Sequence, residues 1–238
     1  MELYFIRHAQ SANNKLYDET GTWNGRDSDP ELTELGHDQA QRLAEHVACA
    51  NGGTLRRDYV NRGSFGFTHL YSSPMVRALA TATYLSAALN LPLVVWEDLH
   101  EVGGIFFIDD ETGERIGQPG KTRSELAARF PQAQLPFTLT ESGWWNRSHE
   151  AVELQARRAR RFVYDLLERH GGSYDRVAVV SHGGFYNLVL AELQGTPADN
   201  GFWSNINNTG ITRFNFVPEG IGLAYANRLE HLPTELIT

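Results

Sequence analysis

Leu3-Tyr4-Phe5-Ile6-Arg7-His8 is an apolar run that ends in a guanidinium and an imidazole. Four apolar residues followed by a polar pair read as a short buried strand. In open α/β sheets, ligands bind in the crevice beyond the carboxyl ends of strands. An imidazole is a competent nucleophile toward phosphorus. A guanidinium offers a planar fork of donors that matches phosphate oxygens. The stretch therefore points to an α/β fold and to phosphoryl chemistry. That chemistry needs more positive charge and a proton donor from elsewhere in the chain.

Three further segments supply candidates. Residues 68–71 read as a strand running into Ser72-Ser73-Pro74, with Ser73 as a helix N-cap and Pro74 as the first helical residue. Arg77 then falls in the first helical turn, near the amide-rich end. Residues 177–180 are an apolar strand that ends in Ser181-His182-Gly183-Gly184, with a helical pattern over 185–193. This delivers His182 to a second strand end, and the glycines permit close backbone approach. Residues 91–96 form another short strand, followed by Leu99-His100-Glu101-Val102-Gly103-Gly104. Glu101 is the candidate proton donor, with Glu97 and Asp98 as nearby acids.

Helices are expected over 33–49, 74–89 and 150–170. Thr33 is the N-cap of the first, and Cys49 reads as a packing residue on it. Val152, Ala156, Ala159, Val163 and Leu166 form the apolar stripe of the third, with Glu153 and Arg157 as an i,i+4 pair. The alternation implies a largely parallel sheet with helices on both faces. Residues 51–67 read as a long loop. Residues 105–148 read as an insertion in one domain spanning 1–238. Long irregular insertions are usually functional, and this one directly follows the acid loop, so it is expected to cover the active site. Its aromatics read as a small packed unit. Arg115, Lys121 and Arg123 read first as a solvated face, with recognition of a second anionic group as the alternative.

Taken together and in order, the segments resemble the histidine phosphatase superfamily (branch 1), the group that includes cofactor-dependent phosphoglycerate mutase. The resemblance rests on Arg7-His8-Ala9-Gln10-Ser11-Ala12-Asn13-Asn14, Asp29-Pro30-Glu31-Leu32-Thr33-Glu34-Leu35-Gly36 and Ser72-Ser73-Pro74-Met75-Val76-Arg77-Ala78. It continues in Leu99-His100-Glu101, Val180-Ser181-His182-Gly183-Gly184, Asn207-Asn208-Thr209-Gly210-Ile211-Thr212 and His231-Leu232. Ala9 departs from the usual glycine without removing a charge or a nucleophile. The implied fold is a three-layer α/β/α sandwich with a mostly parallel central sheet and an inserted cap. The implied activity is metal-independent hydrolysis of a small phosphorylated metabolite through a phosphohistidine. By resemblance His8 is the nucleophile, with a backbone acceptor on its other nitrogen, and Glu101 is the acid. Arg7, Asn14, Arg77, His182 and Gly183 bind phosphate. Asn13 is the competitor for Asn14, and the Arg-His-x-x-Ser-x-x-Asn spacing favours Asn14. After the acid, mutases of this type carry Arg-His-Tyr-Gly where this chain has Val102-Gly103-Gly104-Ile105. That difference favours a phosphatase over phosphoglycerate mutase.

The chain carries 29 Asp+Glu against 21 Lys+Arg, a net charge of −8. This argues against nucleic acid as a partner, which wants a basic face. The single cysteine permits no internal disulfide, and no His-x-x-x-His pair or Cys/His cluster suggests a metal. No cofactor is implied. No run reaches the length of a membrane span and no leader precedes the first motif, so the expectation is a cytoplasmic protein. Oligomeric state is left open by the sequence. Three rival readings are weaker. Gly117-Gln118-Pro119-Gly120-Lys121-Thr122 fails as a phosphate-binding loop because the leading glycine is replaced by Arg115. Ser181 fails as a nucleophile elbow because Val179 stands where glycine is required. A non-catalytic phosphoester-binding protein would keep the fold, but this chain retains every expected polar group.

Overall fold

The computed structural model describes residues 1–49, 60–61, 64–109, 111–199 and 201–238. The loop expected over 51–67 falls largely outside the described residues. The first strand is β1 (Glu2–Arg7), and period-2 alternation decides what it does. Tyr4 and Ile6 enter one apolar cluster, while Leu3 and Phe5 enter the other. Strand β7 (Arg176–Ser181) repeats this, with Ala178 and Val180 on one side and Val177 and Val179 on the other. A sheet buried on both faces needs helices on both. On the first face lie α2 (Glu34–Ala48) and α3 (Val76–Leu89), contributing Leu43, Val47, Leu79 and Leu85. On the second lie α5 (Val152–His170) and α6 (Gly183–Gln194), contributing Phe162, Leu166, Phe185 and Val189.

The remaining strands of the central sheet are β2 (His69–Ser72), β3 (Leu93–Val95), β6 (Ala133–Gln134), β8 (Ile211–Val217) and β9 (Gly220–Arg228). The order is β6-β3-β2-β7-β1-β8-β9. β6, β3, β2, β7 and β1 run parallel, and β8 and β9 close the edge antiparallel. This is the expected α/β/α sandwich. β2, β7 and β1 are neighbours, and their carboxyl ends are level: Arg7 is opposite Ser181, and Ser72 is opposite Val180. Three loops therefore leave the sheet at one place.

Several local expectations are corrected. Helix α1 (Ala12–Thr20) adds an element that no expectation covered. It buries little, and its ends hold it: Ser11 and Asn14 form a reciprocal capping box, and Gly21 terminates it at φ 68°. Helix α3 begins at Val76, with Met75 at the N-cap position. Ser73 instead accepts the Met75 amide at 3.2 Å and caps no helix. The Thr33 cap on α2 is present, accepting from Gly36 N at 2.9 Å. Cys49 lies one residue past α2 and is exposed, so it is not a packing residue. On α5, Val152 is 71% exposed. Ala159, Val163 and Leu166 are buried as expected, and Arg158, Phe162 and His170 complete the buried face. Arg160 and Arg161 of this helix pair with Glu192 and Asp98, and no ion pair joins Glu153 to Arg157 among the described residues.

The insertion has structure of its own. Strands β4 (Phe106–Ile108) and β5 (Arg115–Gly117) form an antiparallel pair. Helix α4 (Arg123–Arg129) follows, with a Thr122/Glu125 capping box, and β6 then joins the edge of the main sheet. Trp144 and Trp145 are buried against His100, with ring centroids 5.8 and 4.8 Å away. They pack as expected. Gly104, at φ 75°, is required beneath them, because a Cβ there would lie 2.2 Å from the Trp145 ring. The loop after Glu101 is thus pinned under the insertion.

Candidate active site

Arg7 and His8 leave β1 as the strand pairing ends, with His8 N donating to Ser181 O at 2.9 Å. His8 is buried and its Nδ1 lies 2.7 Å from Ala9 O. A carbonyl can only accept, so Nδ1 carries the proton and Nε2 presents a lone pair. This is the backbone acceptor that the resemblance implied. Ala9 needs no left-handed backbone and its amide donates to Thr81 Oγ1 at 3.0 Å, so the missing glycine is accommodated. Burial holds His8 well below the ordinary imidazole range, and the charges of Arg77 and Arg7 push the same way.

Arg77, in the first turn of α3, donates from Nε to His8 Nε2 at 3.1 Å. Its Nη1 is buried with no hydrogen-bond partner among the described residues, 3.7 Å from Asp29 Oδ1. Burial lowers Arg77 and raises Asp29 to about 7, against their mutual attraction. Arg7 donates from Nη1 to Ile206 O at 2.6 Å. His182 is fully buried beside His8, with ring centroids 5.0 Å apart. Its Nε2 meets Ser73 Oγ at 2.8 Å, while Nδ1 has no partner among the described residues.

Glu101 lies over the start of α6. Val102 N (2.8 Å) and Phe185 N (2.9 Å) donate to its Oε1, and Gly184 N (3.1 Å) to its Oε2. Oε2 keeps a lone pair free to hold a proton. Of the competing acids, Asp98 is bound by Arg161, and Glu97 by Thr138. Asn14 Oδ1 accepts from Ser11 N, Ser11 Oγ and Asn208 Nδ2, so Nδ2 is what it can offer a ligand. Asn13 uses both ends of its amide on Asp27. Ser181 is fully buried and donates to Leu99 O at 2.7 Å, which suits a structural tie and no nucleophile.

One cavity of about 700 Å³ gathers Arg7, His8, Asn14, Arg77, Glu101 and Gly183. His182 is not among the residues that line it, although its ring packs against that of His8. From the insertion, Phe106, Ile108 and Arg115 line it. Lys121 and Arg123 do not, being engaged with Glu125 and with the carbonyls of residues 135 and 136.

Five contributors carry no strand-end signal in the sequence. Asn208 donates to His8 O at 2.8 Å and fixes the nucleophile's backbone. Thr209 N donates to Arg7 O at 3.0 Å, and His231, pushed down to about 3 by burial, holds the Thr209 hydroxyl at 2.9 Å. Arg158 is buried on α5, makes two 2.8 Å bonds to Glu150, and donates to Asp98 O and His100 O. It thereby pins the loop that carries Glu101. Arg26 enters the same cavity. None of these lies beside a strand-end motif, although Asn208 and His231 fall within segments that carried the resemblance.

One group of metal-ligand type forms among the described residues: His69, His170 and Asp175, with ligand atoms within 4.8 Å of one another. No sequence spacing marks it, because the three come from separate segments. They lie at the amino ends of β2 and β7, opposite the cavity. His170 already bonds Tyr71 and Asp175 through its two ring nitrogens.

An open, mostly parallel sheet whose adjacent strand ends bring together a neutral imidazole and two arginines defines a phosphoryl-handling α/β protein. Sequence comparison agrees: the chain belongs to the histidine phosphatase superfamily (branch 1), whose profile matches residues 3–228. It is 28% identical over 229 residues to "Putative phosphoserine phosphatase 2" of Hydrogenobacter thermophilus, covering 96% of each chain. It is 24% identical to "Probable phosphoglycerate mutase GpmB" of Yersinia pestis, covering 91% of this chain and 85% of that one. Among solved structures, a mutant phosphoserine phosphatase from Entamoeba histolytica in complex with phosphoserine aligns with a TM-score of 0.61 at 21% identity. It covers 98% of this chain and 99% of that chain. Bacillus stearothermophilus YhfR aligns with a TM-score of 0.59 at 22% identity, over 97% and 98%. These structures share the fold.

Proposed function

We propose that this chain, a phosphatase of the histidine phosphatase family, hydrolyses small phosphomonoesters through a phosphohistidine on His8. The observation that carries the reading is a buried, neutral His8 whose Nε2 meets the Arg77 guanidinium at 3.1 Å, with the Arg77 Nη1 making no hydrogen bond among the described residues. Unpaired buried donors cost folding free energy unless a ligand satisfies them. Phosphate oxygens would do so.

The steps balance as follows. Nε2 donates its lone pair to phosphorus, and the bond to the leaving oxygen breaks. Glu101 gives that oxygen its proton. Water then attacks the phosphohistidine, Glu101 takes a proton back, and neutral His8 is restored with release of phosphate. Arg7, Arg77, Asn14 and His182 stabilise the non-bridging oxygens, the main task in phosphoryl transfer. Ser73 Oγ already accepts the Met75 amide. Donating its hydrogen to His182 Nε2 places the His182 proton on Nδ1, as this role requires. The amide of Gly183 lies at the same rim. No step calls on a metal, and no nucleic-acid partner is invoked. No helix among the described residues is long and apolar enough to cross a membrane, and we assign the chain to the cytoplasm.

The test is phosphate release from a panel of small phosphoesters in EDTA, with His8→Ala as control. His8-dependent release that survives chelation is the expected result. An active His8→Ala enzyme, or activity lost to EDTA and restored by a divalent ion, refutes the mechanism. Isomerisation of 3-phosphoglycerate in the presence of 2,3-bisphosphoglycerate would identify a mutase instead.

A further inference from the structure

Arg26 is an arginine that the phosphoryl site does not use. It lines the cavity half-buried, and its Nε is buried with no hydrogen-bond partner among the described residues. Its guanidinium lies 4.1 Å from the centroid of the Phe106 ring. Arg115, on β5, approaches the same ring at 5.9 Å. Neither makes an ion pair within 4.0 Å among the described residues. Most arginines that hold the fold do: Arg158 with Glu150, Arg176 and Arg213 with Glu2, Arg129 with Glu31.

The charge around Arg26 is out of balance. Burial is the largest cause lowering it to about 10, and Arg77 and Arg115 add to this while Glu101 and Asp27 oppose it. His149, whose ring meets Phe106 edge-on at 4.7 Å, is lowered by burial and by the same Arg115 and Arg26. Like charges have been brought together around one aromatic wall, and among the described residues no acid comes into ion-pair contact with Arg26 or Arg115. Such an arrangement is at its best when an anion enters.

The geometry points to a second anion subsite in which Arg26, stacked on Phe106 and backed by Arg115, receives a carboxylate on the substrate. The Phe106 ring backs the guanidinium at 4.1 Å, the Nε is left without a hydrogen-bond partner among the described residues, and the side chain lines the cavity. One guanidinium edge matches the two oxygens of one carboxylate. Phe106 supplies apolar wall for a short carbon skeleton between the two anions. The substrate class is therefore a small phosphorylated carboxylic acid. For turnover this rests on the phosphomonoester reading above. For binding it does not.

The test uses matched pairs that differ at the carboxylate: phosphoserine and phosphoethanolamine, phosphoglycolate and methyl phosphate, 3-phosphoglycerate and glycerol 3-phosphate. kcat/KM is measured for each with wild type and Arg26→Ala. Wild type should prefer the acid by about 10- to 100-fold in at least one pair, the range of a charge-assisted bond. Arg26→Ala should collapse that ratio to about one. A merely structural Arg26 would lower both members alike and leave the ratio standing, which overturns the proposal while the phosphatase reading survives. So would a wild type that favours the acid in no pair. Glycerol 1,3-bisphosphate outpacing every acid in an Arg26-dependent way would replace the carboxylate with a second phosphate. If nothing is hydrolysed, the pairs are titrated calorimetrically into His8→Ala. Equal affinity within every pair then overturns the subsite independently of turnover.

Discussion

Replacing Gly184 by alanine adds one methyl group to the first turn of α6, at a place already taken. The new Cβ would lie 2.5 Å from Glu101 Oε1 and 2.6 Å from Val102 Cγ2. Ordinary contact begins at 3.4 Å, so Oε1 must retreat by about 0.9 Å. Oε1 now accepts from Phe185 N at 2.9 Å. Retreat along that line takes the separation to about 3.8 Å, where no hydrogen bond remains. A bond of this kind is worth about 1.5–3 kcal/mol. If that energy now holds the acid on line with the leaving oxygen, its loss corresponds to roughly 10- to 150-fold in rate. The loss should fall on alkyl phosphates, whose leaving group needs the proton. Aryl phosphates leave with little help and should be spared, the same selectivity expected of Glu101→Gln. The fold should hold, because alanine favours the helix over glycine by about 1 kcal/mol and offsets part of the clash. Steady-state kinetics on glycerol 3-phosphate and p-nitrophenyl phosphate, with thermal melts alongside, make the comparison. Wild-type rates on the alkyl substrate would sink the Glu101 clamp. Equal losses on both would move the damage to the phosphate cradle.

Other predictions follow from the same geometry. Arg158→Met leaves Glu150 charged and buried, and should cost about 3–5 kcal/mol in chemical denaturation. The double change Arg158→Met with Glu150→Met should cost less, and a double variant as unstable as the single would refute the ion-pair account. Stability should fall with acid. His8, His100 and His182 are held well below 6.5 by burial, and His231 is pushed down to about 3. Near pH 5 the unfolded chain therefore gains four protons there that the folded chain refuses. Asp29, raised to about 7 from 3.8, works the other way, and its folded form keeps one proton that the unfolded form has lost. The net three protons give roughly 4 kcal/mol of stability lost per pH unit below about 6, readable as Tm across pH 5 to 6.5. A flat profile would mean these imidazoles are not buried and neutral. Because His8 stays unprotonated there, the acid limb of kcat/KM should not report the nucleophile. Gly36→Ala should destabilise the chain severely, since its Cβ would lie 2.1 Å from the backbone oxygen of Gln10. Normal expression and Tm would refute that packing.

Much of the fold was legible because its strands are short, apolar and end in polar residues. Leu3–Ile6 and Val177–Val180 bury both faces, so each is a continuous apolar run with a sharp end. Those sharp ends are where Arg7, His8 and His182 sit, and the same signal therefore located fold and candidate site together. Helix α1 was illegible for the opposite reason. Of its nine residues only Asn13 is buried, so no apolar period marks it. The insertion was read as irregular because β4, β5 and β6 are two or three residues long, too short for a period to register.

What stayed hidden in the candidate site was whatever reaches it from far along the chain. Asn208 lies 200 residues from the carbonyl it holds, and Arg158 lies 58 residues from the His100 carbonyl. Arg26 had no motif at all. Its proposed role comes from what is missing around it, an ion-pair partner among the described residues, and absence of a partner is a property of three dimensions. Sequence patterns mark the groups that a chain delivers at the end of an element. They do not mark a charge left unneutralised by all the elements together. On the proposed reading the reaction belongs where β1, β2 and β7 end, and the choice of substrate belongs to Arg26 and the insertion, which line the same cavity. A family can keep the first and vary the second, so it is Arg26, more than His8, at which the proposed specificity is to be tested.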